Sequence, residues 1–452
     1  MNKFEKYSSY KDSGVEWLGE IPEHWKSISI KRLITLLTDY TANGSFADLA
    51  KNVQYLDEPS YAQLIRLTDI RKGFKEKGIY ITEKSYKYLN KSSLFGGELL
   101  MANVGAYSGY SFLLPEKLDF KASLAPNMFL IKFNKKQIDN KFIFYALNSD
   151  TILSRLVLIA TSTAQPKLNK DNVRSIFIPL PPQEEQTKIA SFLDEKTAQI
   201  DEVISQKEKL IELLKERKQI VINDAVTKGL DKDVEFVDSG VEWIGKIPKG
   251  WEVKKLKFII KNKLKYGANE SGISYDEALP RYVRITDFSD TGKLSEKNKL
   301  SLSWDKGKDY LLKDGDVLFA RSGATVGKTY QFKKSMSIEK NYAFAGYLIK
   351  AEANETMILS DYLYLYTNSN LFNRWKESIF NKATIENIGA DKYSELFFTL
   401  PSIEEQKLIL KNYFIKSTKI DKAIELQQNY ISKLKEYKAS LIDSVVTGKV
   451  KV

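Results

Sequence analysis

The chain contains one distinctive segment twice, and this repeat limits its possible folds more than any other feature. DSGVEWLGEIPEHW at 12–25 returns as DSGVEWIGKIPKGW at 238–251, with ten of fourteen positions identical. Three further segments recur in the same order: LIRLTDI (64–70) as YVRITDF (282–288), GELLMANVGAYSG (97–109) as GDVLFARSGATVG (315–327), and LPPQEEQTKI (180–189) as LPSIEEQKLI (400–409). We therefore predict two halves, about 1–232 and 233–452, related by an internal pseudo-twofold repeat.

The two halves keep their start and end segments nearly constant, whereas their middles differ in length and in most residues. A repeated scaffold that carries two different binding modules has this pattern. A duplicated structural domain whose sequence has diverged accounts for two copies. It does not account for the contrast between the constant start and end segments and the divergent middles.

Each half is predicted to end in one long helix. No Pro or Gly occurs from Gln183 to Thr227, and the apolar residues recur at the average 3.5-residue spacing of a coiled-coil seam. A helix of about 45 residues is roughly 65 Å long, and the same pattern returns 220 residues later. The predicted seam residues are Ile189, Leu193, Ile200, Ile204, Ile211, Leu214 and Val221, with Ile409, Tyr413, Ile420, Ile424, Ile431, Leu434 and Leu441 in the second half. Because each seam finds its match only in the other, we expect the helices to pack as an antiparallel coiled coil.

The middles are predicted to be mixed α/β. Short apolar runs that favour strands are Leu64–Leu67, Leu99–Ala102, Met128–Phe133 and Ile176–Leu180, repeated as Tyr282–Ile285, Val317–Ala320, Ala345–Lys350 and Leu396–Leu400. Helical stretches are predicted at Lys141–Leu156 and Ser360–Trp375. The expected fold class is therefore α+β, with domains at 1–182 and 230–402 and long helices within 183–229 and 403–452. The recurring Trp17, Trp25, Trp243 and Trp251 are interpreted as packing anchors.

The sequence excludes several kinds of chemistry. The chain has no Cys and a single His, His24, which argues against disulfides, zinc sites, thiol catalysis and His-dependent triads. His24 is interpreted as a surface residue, because its repeat counterpart is Gly250. SGATVGKT at 322–329 resembles a phosphate-binding loop, but Ser322 stands where the first glycine belongs and the first-half copy lacks the lysine. We therefore expect no enzyme activity, no metal and no cofactor in this chain.

Charge and hydropathy indicate the kind of partner and the location. The formal net charge is +12 and the pI is near 9.2, which favours a polyanionic partner such as nucleic acid. The N-terminal residues lack the apolar core of a signal peptide, and no 18-residue apolar run occurs. A cytoplasmic location without membrane contact is therefore expected.

The repeated DSGVEW-x-G-x-IP segment and the LPP-x-x-EEQ segment before each long helix resemble the specificity (S) subunits of type I restriction–modification systems. The resemblance covers the whole chain. It implies two target-recognition domains, each reading one half of a bipartite, asymmetric double-stranded DNA site. It also implies that the two conserved helices space these domains and dock two methyltransferase (M) subunits, with restriction/translocase (R) subunits in the full complex. Adenine methylation and ATP-dependent cleavage, with S-adenosylmethionine, ATP and Mg, are then expected in the partners.

Residues for DNA contact are predicted among polar side chains near the turns of the middles, because such groups read base edges and bind phosphates. The candidates are Arg66, Thr68, Arg71, Lys72, Asn103, Tyr107, Ser108, Thr163, Gln165 and Lys167 in the first half, and Arg284, Thr286, Arg321, Ser322, Thr325, Lys328, Lys382 and Thr384 in the second. Asp69 and Asp287 are expected to hold turns through Asx hydrogen bonds. Asn103 corresponds to Arg321, so a basic contact there is expected in one half only. The alternative function is a DNA-independent coiled-coil adaptor.

Overall fold

The computed structural model describes residues 5–160, 165–231, 233–289, 292–323, 326–380 and 387–452. The chain divides into two compact units: unit 1 is Met1–Lys207 with Asn429–Val452, and unit 2 is Glu208–Gln428. Both dividing points fall inside the long helices, so each unit contains a part of each helix. The predicted domain boundaries remain a prediction, because this division cuts across the helices that they set apart.

Unit 1 contains two main sheets. Its strands are β1 (Tyr10–Asp12), β2 (Glu20–Pro22), β3 (Lys26–Ser29), β4 (Ile34–Asp39), β5 (Tyr55–Leu56), β6 (Ala62–Ile65), β7 (Ile79–Ile81), β8 (Ser93–Leu94), β9 (Leu99–Ala102), β10 (Ser111–Leu113), β11 (Ala122–Leu124), β12 (Met128–Phe133) and β13 (Phe177–Leu180). Its helices are α1 (Phe46–Asn52), α2 (Leu67–Arg71), α3 (Glu83–Tyr88), α4 (Asn140–Leu147), α5 (Asp150–Ala160), α6 (Lys170–Ser175) and the first part of α7 (Gln183–Thr227). One sheet has the order β10-β9-β12-β4 and the other β5-β7-β6-β11-β8. Leu64, Leu100 and Leu130 belong to one apolar core shared by both sheets.

Unit 2 repeats this arrangement. Its strands are β14 (Phe236–Asp238), β15 (Lys246–Pro248), β16 (Glu252–Lys255), β17 (Lys265–Tyr266), β18 (Ile273–Ser274), β19 (Arg281–Val283), β20 (Leu300–Ser301), β21 (Val317–Ala320), β22 (Thr329–Gln331), β23 (Tyr342–Phe344), β24 (Leu348–Ala351) and β25 (Phe397–Leu400). Its helices are α8 (Trp304–Gly307), α9 (Ser360–Thr367), α10 (Asn370–Phe380), α11 (Ala390–Ser394) and the first part of α12 (Ile403–Val446). The sheets have the orders β22-β21-β24-β17 and β18-β20-β19-β23. The parallel pair β6–β11 of unit 1 recurs as β19–β23, which confirms the internal repeat.

Both predicted helices of the middles are each broken into two. The predicted helix at 141–156 is α4 and α5, bent by 62°, and that at 360–375 is α9 and α10. Asn148 causes the first break. Its amide nitrogen caps the end of α4 by donating to the Phe144 carbonyl. The same amide group donates to the Ser111 carbonyl and accepts the Ser111 N–H, both at 3.0 Å. Asn368 and Ser369 occupy the same place in unit 2. The predicted strand Ala345–Lys350 begins late, at Leu348, because Gly346 donates to the carbonyl of Ala268 at 2.7 Å instead.

The long helix α7 has the predicted bounds, Gln183–Thr227. The same apolar pattern in the second half forms the other long helix, α12. In unit 1, Lys438 pairs with Asp201 at 2.6 Å and the Lys207 ammonium lies 4.6 Å from the Tyr430 ring. Residue numbers therefore rise along α7 as they fall along α12, which confirms antiparallel packing there. In unit 2, Lys218 pairs with Asp421 at 2.8 Å. The predicted seam residues are all buried or half-buried.

The end of each long helix packs into the unit that contains the start of the other helix. In unit 2, Val226 of α7 and Ile409 of α12 lie in one core with Trp251, and the Thr399 hydroxyl donates to the Val226 carbonyl at 2.7 Å. In unit 1, Gly448, which follows α12, has φ +77° and lies so close to Pro22 that a Cβ would collide with the proline ring and make a tight contact with Trp25. Trp25 and Trp251 are buried, which confirms their interpretation as packing anchors.

Searched through the described ranges, the structure has no single helix long and apolar enough to cross a membrane; only the bent pair α4–α5 passes by length and composition. Within the same ranges, no group of three His, Cys, Asp or Glu side chains is placed to hold a metal ion.

Candidate nucleic-acid interface

Two of the predicted DNA-contact segments lie side by side in unit 1. The turn after β9 bonds to residues 165–168, with 2.9 Å from the Gly105 N–H to the Pro166 carbonyl and 2.8 Å from the Leu168 N–H to the Asn103 carbonyl. The Ser108 hydroxyl also donates to Pro166, at 3.1 Å. The structure thereby brings together a group of sequence-predicted candidates: Asn103, Tyr107, Ser108, Gln165 and Lys167.

Arg71 joins this group from the end of α2. Its guanidinium Cζ lies 3.9 Å from the ring centroid of Tyr107, and Tyr107 packs edge-on against Tyr110 at 5.7 Å between centroids. Thr68 and Lys72 are exposed, and Lys72 pairs with Glu76 at 2.6 Å. Arg71 and Tyr107 therefore form a contact that their separation of 36 positions along the sequence did not predict.

Arg66 and its repeat counterpart Arg284 have ion-pair partners instead. The Arg66 guanidinium donates to the Asp69 carboxylate at 2.6 Å, and Arg284 donates to Asp287 at 2.9 Å. Both carboxylates are almost fully buried. These hydrogen bonds raise the pKa of the Arg66 guanidinium, although burial opposes the effect. Arg66 and Arg284 also donate to carbonyls of the loops that follow, at Lys77 (3.3 Å) and Asn298 (2.8 Å).

Asp69 and Asp287 hold their turns, but not by the expected Asx bond. Each carboxylate accepts the backbone N–H of the arginine three positions before it, at 2.8 Å for Asp69 and 2.7 Å for Asp287. This contact caps the start of α2 and of the 3-10 turn Ile285–Asp287, where N–H groups lack partners in the helix. The Asx prediction was wrong because a helical start places the free N–H groups behind the aspartate rather than ahead of it.

The turn after β21 in unit 2 has the same backbone frame as the turn in unit 1. The Arg321 N–H donates to the Tyr347 carbonyl at 3.0 Å and the Ile388 N–H to the Arg321 carbonyl at 2.8 Å. Next to these bonds, Ser322 and Asn387 form an isolated antiparallel β-bridge. The guanidinium Cζ of Arg321 lies 4.9 Å from the ring centroid of Tyr266. The frame is therefore shared, while the side chains it presents differ.

The remaining candidates are spread around this turn or lie outside the described residues. Thr286 is exposed, and the Lys328 ammonium donates to the Phe288 carbonyl at 3.2 Å. Thr163, Thr325, Lys382 and Thr384 lie outside the described residues. For every candidate, DNA contact stays a prediction.

In each unit a buried carboxylate pairs with a lysine of the sheet that contains β9 or β21. In unit 2, Asp316 lies 3.0 Å from the Lys350 ammonium and accepts the Lys313 N–H at 2.8 Å. Burial raises the pKa of Asp316, although these partners oppose the shift. In unit 1, Glu98 and Lys132 occupy the corresponding positions, 3.5 Å apart. Both pairs lie beside the strands that lead into the candidate turns.

Arg281 is a buried charge that sequence reasoning missed. Its side chain is 1% exposed and lies 2.8 Å from Glu296 and 3.2 Å from Glu339, and Lys299 joins Glu339 at 3.0 Å. Burial alone would raise the pKa of Glu339, but hydrogen bonds from Tyr342 and Lys299 and the Arg281 charge lower it. The cluster ties the loop after the Ile285–Asp287 turn to β19. The available signal was an arginine at the start of β19, next to Tyr282 and Val283.

The glutamine of the repeated EEQ sequence fastens each long helix to its unit. Gln186 is 1% exposed. Its Oε1 accepts the Asp139 N–H at 2.9 Å, and its Nε2 donates to the carbonyls of Gln137 at 2.9 Å and Pro181 at 3.0 Å. Gln406 makes the three corresponding bonds in unit 2, at 2.8, 3.0 and 3.0 Å. The motif therefore fixes how α4 or α9 is attached to the start of the long helix.

The glutamate before Gln186 contacts His24. The imidazole Nε2 lies 2.9 Å from the Glu185 carboxylate and the His24 side chain is half exposed, which confirms the surface interpretation. Glu405, the counterpart of Glu185, instead accepts the indole N–H of Trp251 at 3.1 Å. The EEQ carboxylate thus fastens the repeated DSGVEW frame in both units, with different donors.

Comparison with known proteins shows which proteins this chain is similar to. The family model described as "Type I restriction modification DNA specificity domain" matches residues 22–213. The chain is 24% identical over 455 residues to the MjaX specificity subunit of Methanocaldococcus jannaschii, covering 100% of this chain and 98% of that one. It is 24% identical over 422 residues to the Escherichia coli type I restriction enzyme EcoBI specificity subunit, covering 88% and 81%.

Solved structures agree on the fold. A chain from a type I R-M system, solved to show complex assembly and conformational transition, aligns with a TM-score of 0.69 at 16% identity, covering 94% of this chain and 98% of that one. The HsdS subunit of Thermoanaerobacter tengcongensis aligns with a TM-score of 0.52 at 18% identity, covering 95% and 98%. The repeated units of this chain therefore share the fold of these solved structures. Over its whole length the chain is similar to the specificity subunits of type I restriction enzymes.

Proposed function

We propose that this chain is the DNA-reading subunit of a type I restriction–modification complex. Each recognition domain reads one half of a bipartite, asymmetric DNA sequence. The long helices space the two domains and dock two methyltransferase subunits, and restriction subunits complete the assembly. The complex works in the cytoplasm, where the DNA is.

One observation carries this proposal: a shared backbone frame presents different side chains in the two units. Positions 103 and 321 make the same two backbone hydrogen bonds, yet one is Asn and the other Arg. Base edges are distinguished by side-chain donors and acceptors, whereas the surrounding fold only positions them. Two like frames with unlike side chains suit the reading of two unlike half-sequences.

The charge and the chemistry of the chain support the same role. A net charge of +12 favours phosphate contacts, which supply much of DNA affinity. We assign no cofactor to this chain. S-adenosylmethionine, ATP and Mg belong in this proposal to the partner subunits, which carry the catalysis.

The test is a domain exchange read out by methylation. The chain is co-expressed with its methyltransferase subunits, and methylated adenines are mapped by sequencing. Exchanging residues 26–180 for the matching region of another specificity subunit is expected to change one half of the motif only. The reciprocal exchange of residues 252–400 is the matched control and is expected to change the other half. A change in both halves from either exchange would contradict independent readers.

A salt titration separates this function from the DNA-independent adaptor. Affinity of the complex for duplex DNA is expected to fall steeply between about 50 and 200 mM salt, because each phosphate contact releases counterions. An adaptor that does not bind DNA gives no such curve.

A further inference from the structure

Four arginines among the candidate DNA-contact residues have two kinds of surroundings. Arg66 and Arg284 occur at the same place in both halves, and their guanidinium groups are paired with buried carboxylates. Arg71 and Arg321 lie over tyrosine rings, and within the described residues their guanidinium groups have no ion pair. The repeat puts Ser289 at the place of Arg71 and Asn103 at the place of Arg321. The arginines that differ between the halves are thus the ones whose donors are available.

The ring contact prepares such an arginine for recognition. A guanidinium held against an aromatic face keeps its N–H donors at its edge, and the cation–π contact itself is favourable. Less side-chain entropy is then lost on binding. Arg71 is exposed and Tyr266 is 40% exposed, so both pairs are open to a ligand.

The two arginine–tyrosine pairs lie at the hydrogen-bonded turns that follow β9 in unit 1 and β21 in unit 2. Tyr107 is in the turn that bonds to Pro166, next to Ser108, and Tyr110, which packs against it, is 39% exposed. In unit 2, the Tyr266 hydroxyl accepts the Ala390 N–H at 2.9 Å, close to Ile388, which bonds to the Arg321 backbone. Arg71 comes from a helix and Arg321 from a turn, so the same chemistry is built from different segments.

We propose that Arg71 and Arg321 each read a guanine in their own half of the DNA site, with Tyr107 and Tyr266 as positioning residues. This inference rests on the proposed function. The O6 and N7 acceptors of guanine match the fork of one guanidinium, and this is the commonest specific arginine contact in the major groove. A phosphate presents the same oxygen acceptors at every base pair, so a contact with it carries no sequence information. Side chains that differ between two readers of different sequences are therefore assigned to bases rather than to phosphates.

The experiment uses the complex of the full chain with its methyltransferase subunits. Duplexes carry the motif found by methylation mapping, or single base-pair changes at each position of it. Arg71→Ala is expected to weaken binding to the motif about 5- to 150-fold and to remove discrimination at one G·C pair of one half. Discrimination in the other half is expected to stay unchanged. Arg321→Ala is expected to give the reciprocal result.

Three further variants separate base reading from charge and from folding. Arg71→Lys keeps the charge but loses the fork, so it is expected to lose the same discrimination as Arg71→Ala. Lys75→Ala removes an exposed charge on the loop after α2 and is the matched control, with discrimination unchanged. Tyr107→Phe keeps the ring and is expected to retain discrimination, whereas Tyr107→Ala reduces it. Thermal midpoints measured for every variant show whether the fold is retained.

Several outcomes overturn the inference. A half-sequence without any G·C pair does so at once. Full discrimination by Arg71→Lys does so as well, and so does an equal weakening on all sequences with a salt slope lower by about one, which marks a phosphate contact. In those cases a wild-type complex that still distinguishes sequences leaves the proposed function standing. A wild-type complex without sequence preference refutes the proposed function itself.

Discussion

The three hydrogen bonds of Gln186 give a stability prediction that can be worked out from the structure. In Gln186→Met the side chain keeps nearly its volume but loses one acceptor and two N–H donors. The Asp139 N–H and the carbonyls of Gln137 and Pro181 then lose their partner. Each net hydrogen bond contributes about 1 kcal/mol, and a buried group left without a partner costs about 1–3 kcal/mol. We therefore expect the free energy of unfolding of unit 1 to fall by about 2–4 kcal/mol.

The assay combines denaturant unfolding with hydrogen exchange. Because two units can unfold separately, the exchange of the peptide spanning 137–147 reports unit 1 directly. It is expected to speed up in Gln186→Met, together with a lower denaturant midpoint. Gln199→Met is the matched control on the same helix, since Gln199 is exposed, and a change within about 0.5 kcal/mol is expected there. Equal exchange and equal midpoints in Gln186→Met and wild type would refute the reasoning.

Three further predictions concern buried groups. Ile204→Asp places an unpaired charge in the seam and should cost about 3 kcal/mol or more, whereas Val203→Asp, at a 38% exposed position, should not; equal denaturant midpoints would argue against a seam. Burial raises the pKa of Asp316 above 3.8, so this carboxyl contributes stability below its unfolded pKa that is lost as pH rises through the folded pKa. The stability of wild type relative to Asp316→Asn should accordingly fall with rising pH, and a constant difference across the pH series would contradict it. Arg281→Gln leaves Glu339 with less compensation and should cost about 3–5 kcal/mol in thermal or chemical unfolding, part of which Glu339→Gln should restore; no recovery in the double variant would show that the two charges do not depend on each other.

The sequence predicted best those elements whose signal is repeated and long. The bounds of α7 follow from a stretch without Pro or Gly and a regular apolar spacing. The break between α4 and α5 was missed, although Asn148-Ser149 and Asn368-Ser369 stand at the same place in both halves. Two short polar residues inside an apolar helix pattern favour a cap over continuation. The effect of Asn148 depends on Ser111, and that of Asn368 on Gln219 of α7, and only the folded chain brings these partners near.

The candidate site was predictable by region but not by role. From sequence position alone, Arg66 and Arg71 are equally good candidates for DNA contact, since both are basic residues near one turn. Their difference arises from Asp69, three positions from Arg66, and from Tyr107, far along the chain. The EEQ repeat was likewise recognised without its reason. Gln186 donates to the carbonyl of Gln137, 49 positions earlier, and no periodicity reports such a contact.

The interleaving of the two helices decides how their proposed spacing role can be tested. An insertion after Thr227 lengthens only the connection to β14, because Val226 is already fixed in the core of unit 2 and α12 begins in the same core. At the other end, Asp443 of α12 accepts the Thr151 N–H at 2.9 Å, at the start of α5, so α12 is also fixed in unit 1. Both helices are therefore anchored at both ends. A change of spacing requires matched insertions between the anchors, such as seven residues after Lys207 and seven after Gln428. One heptad keeps the seam in register and adds about 10 Å of helix, which corresponds to about three base pairs of DNA. The half-sequences are expected to stay the same while the unread gap lengthens, and an unchanged gap would show that the helices do not set it.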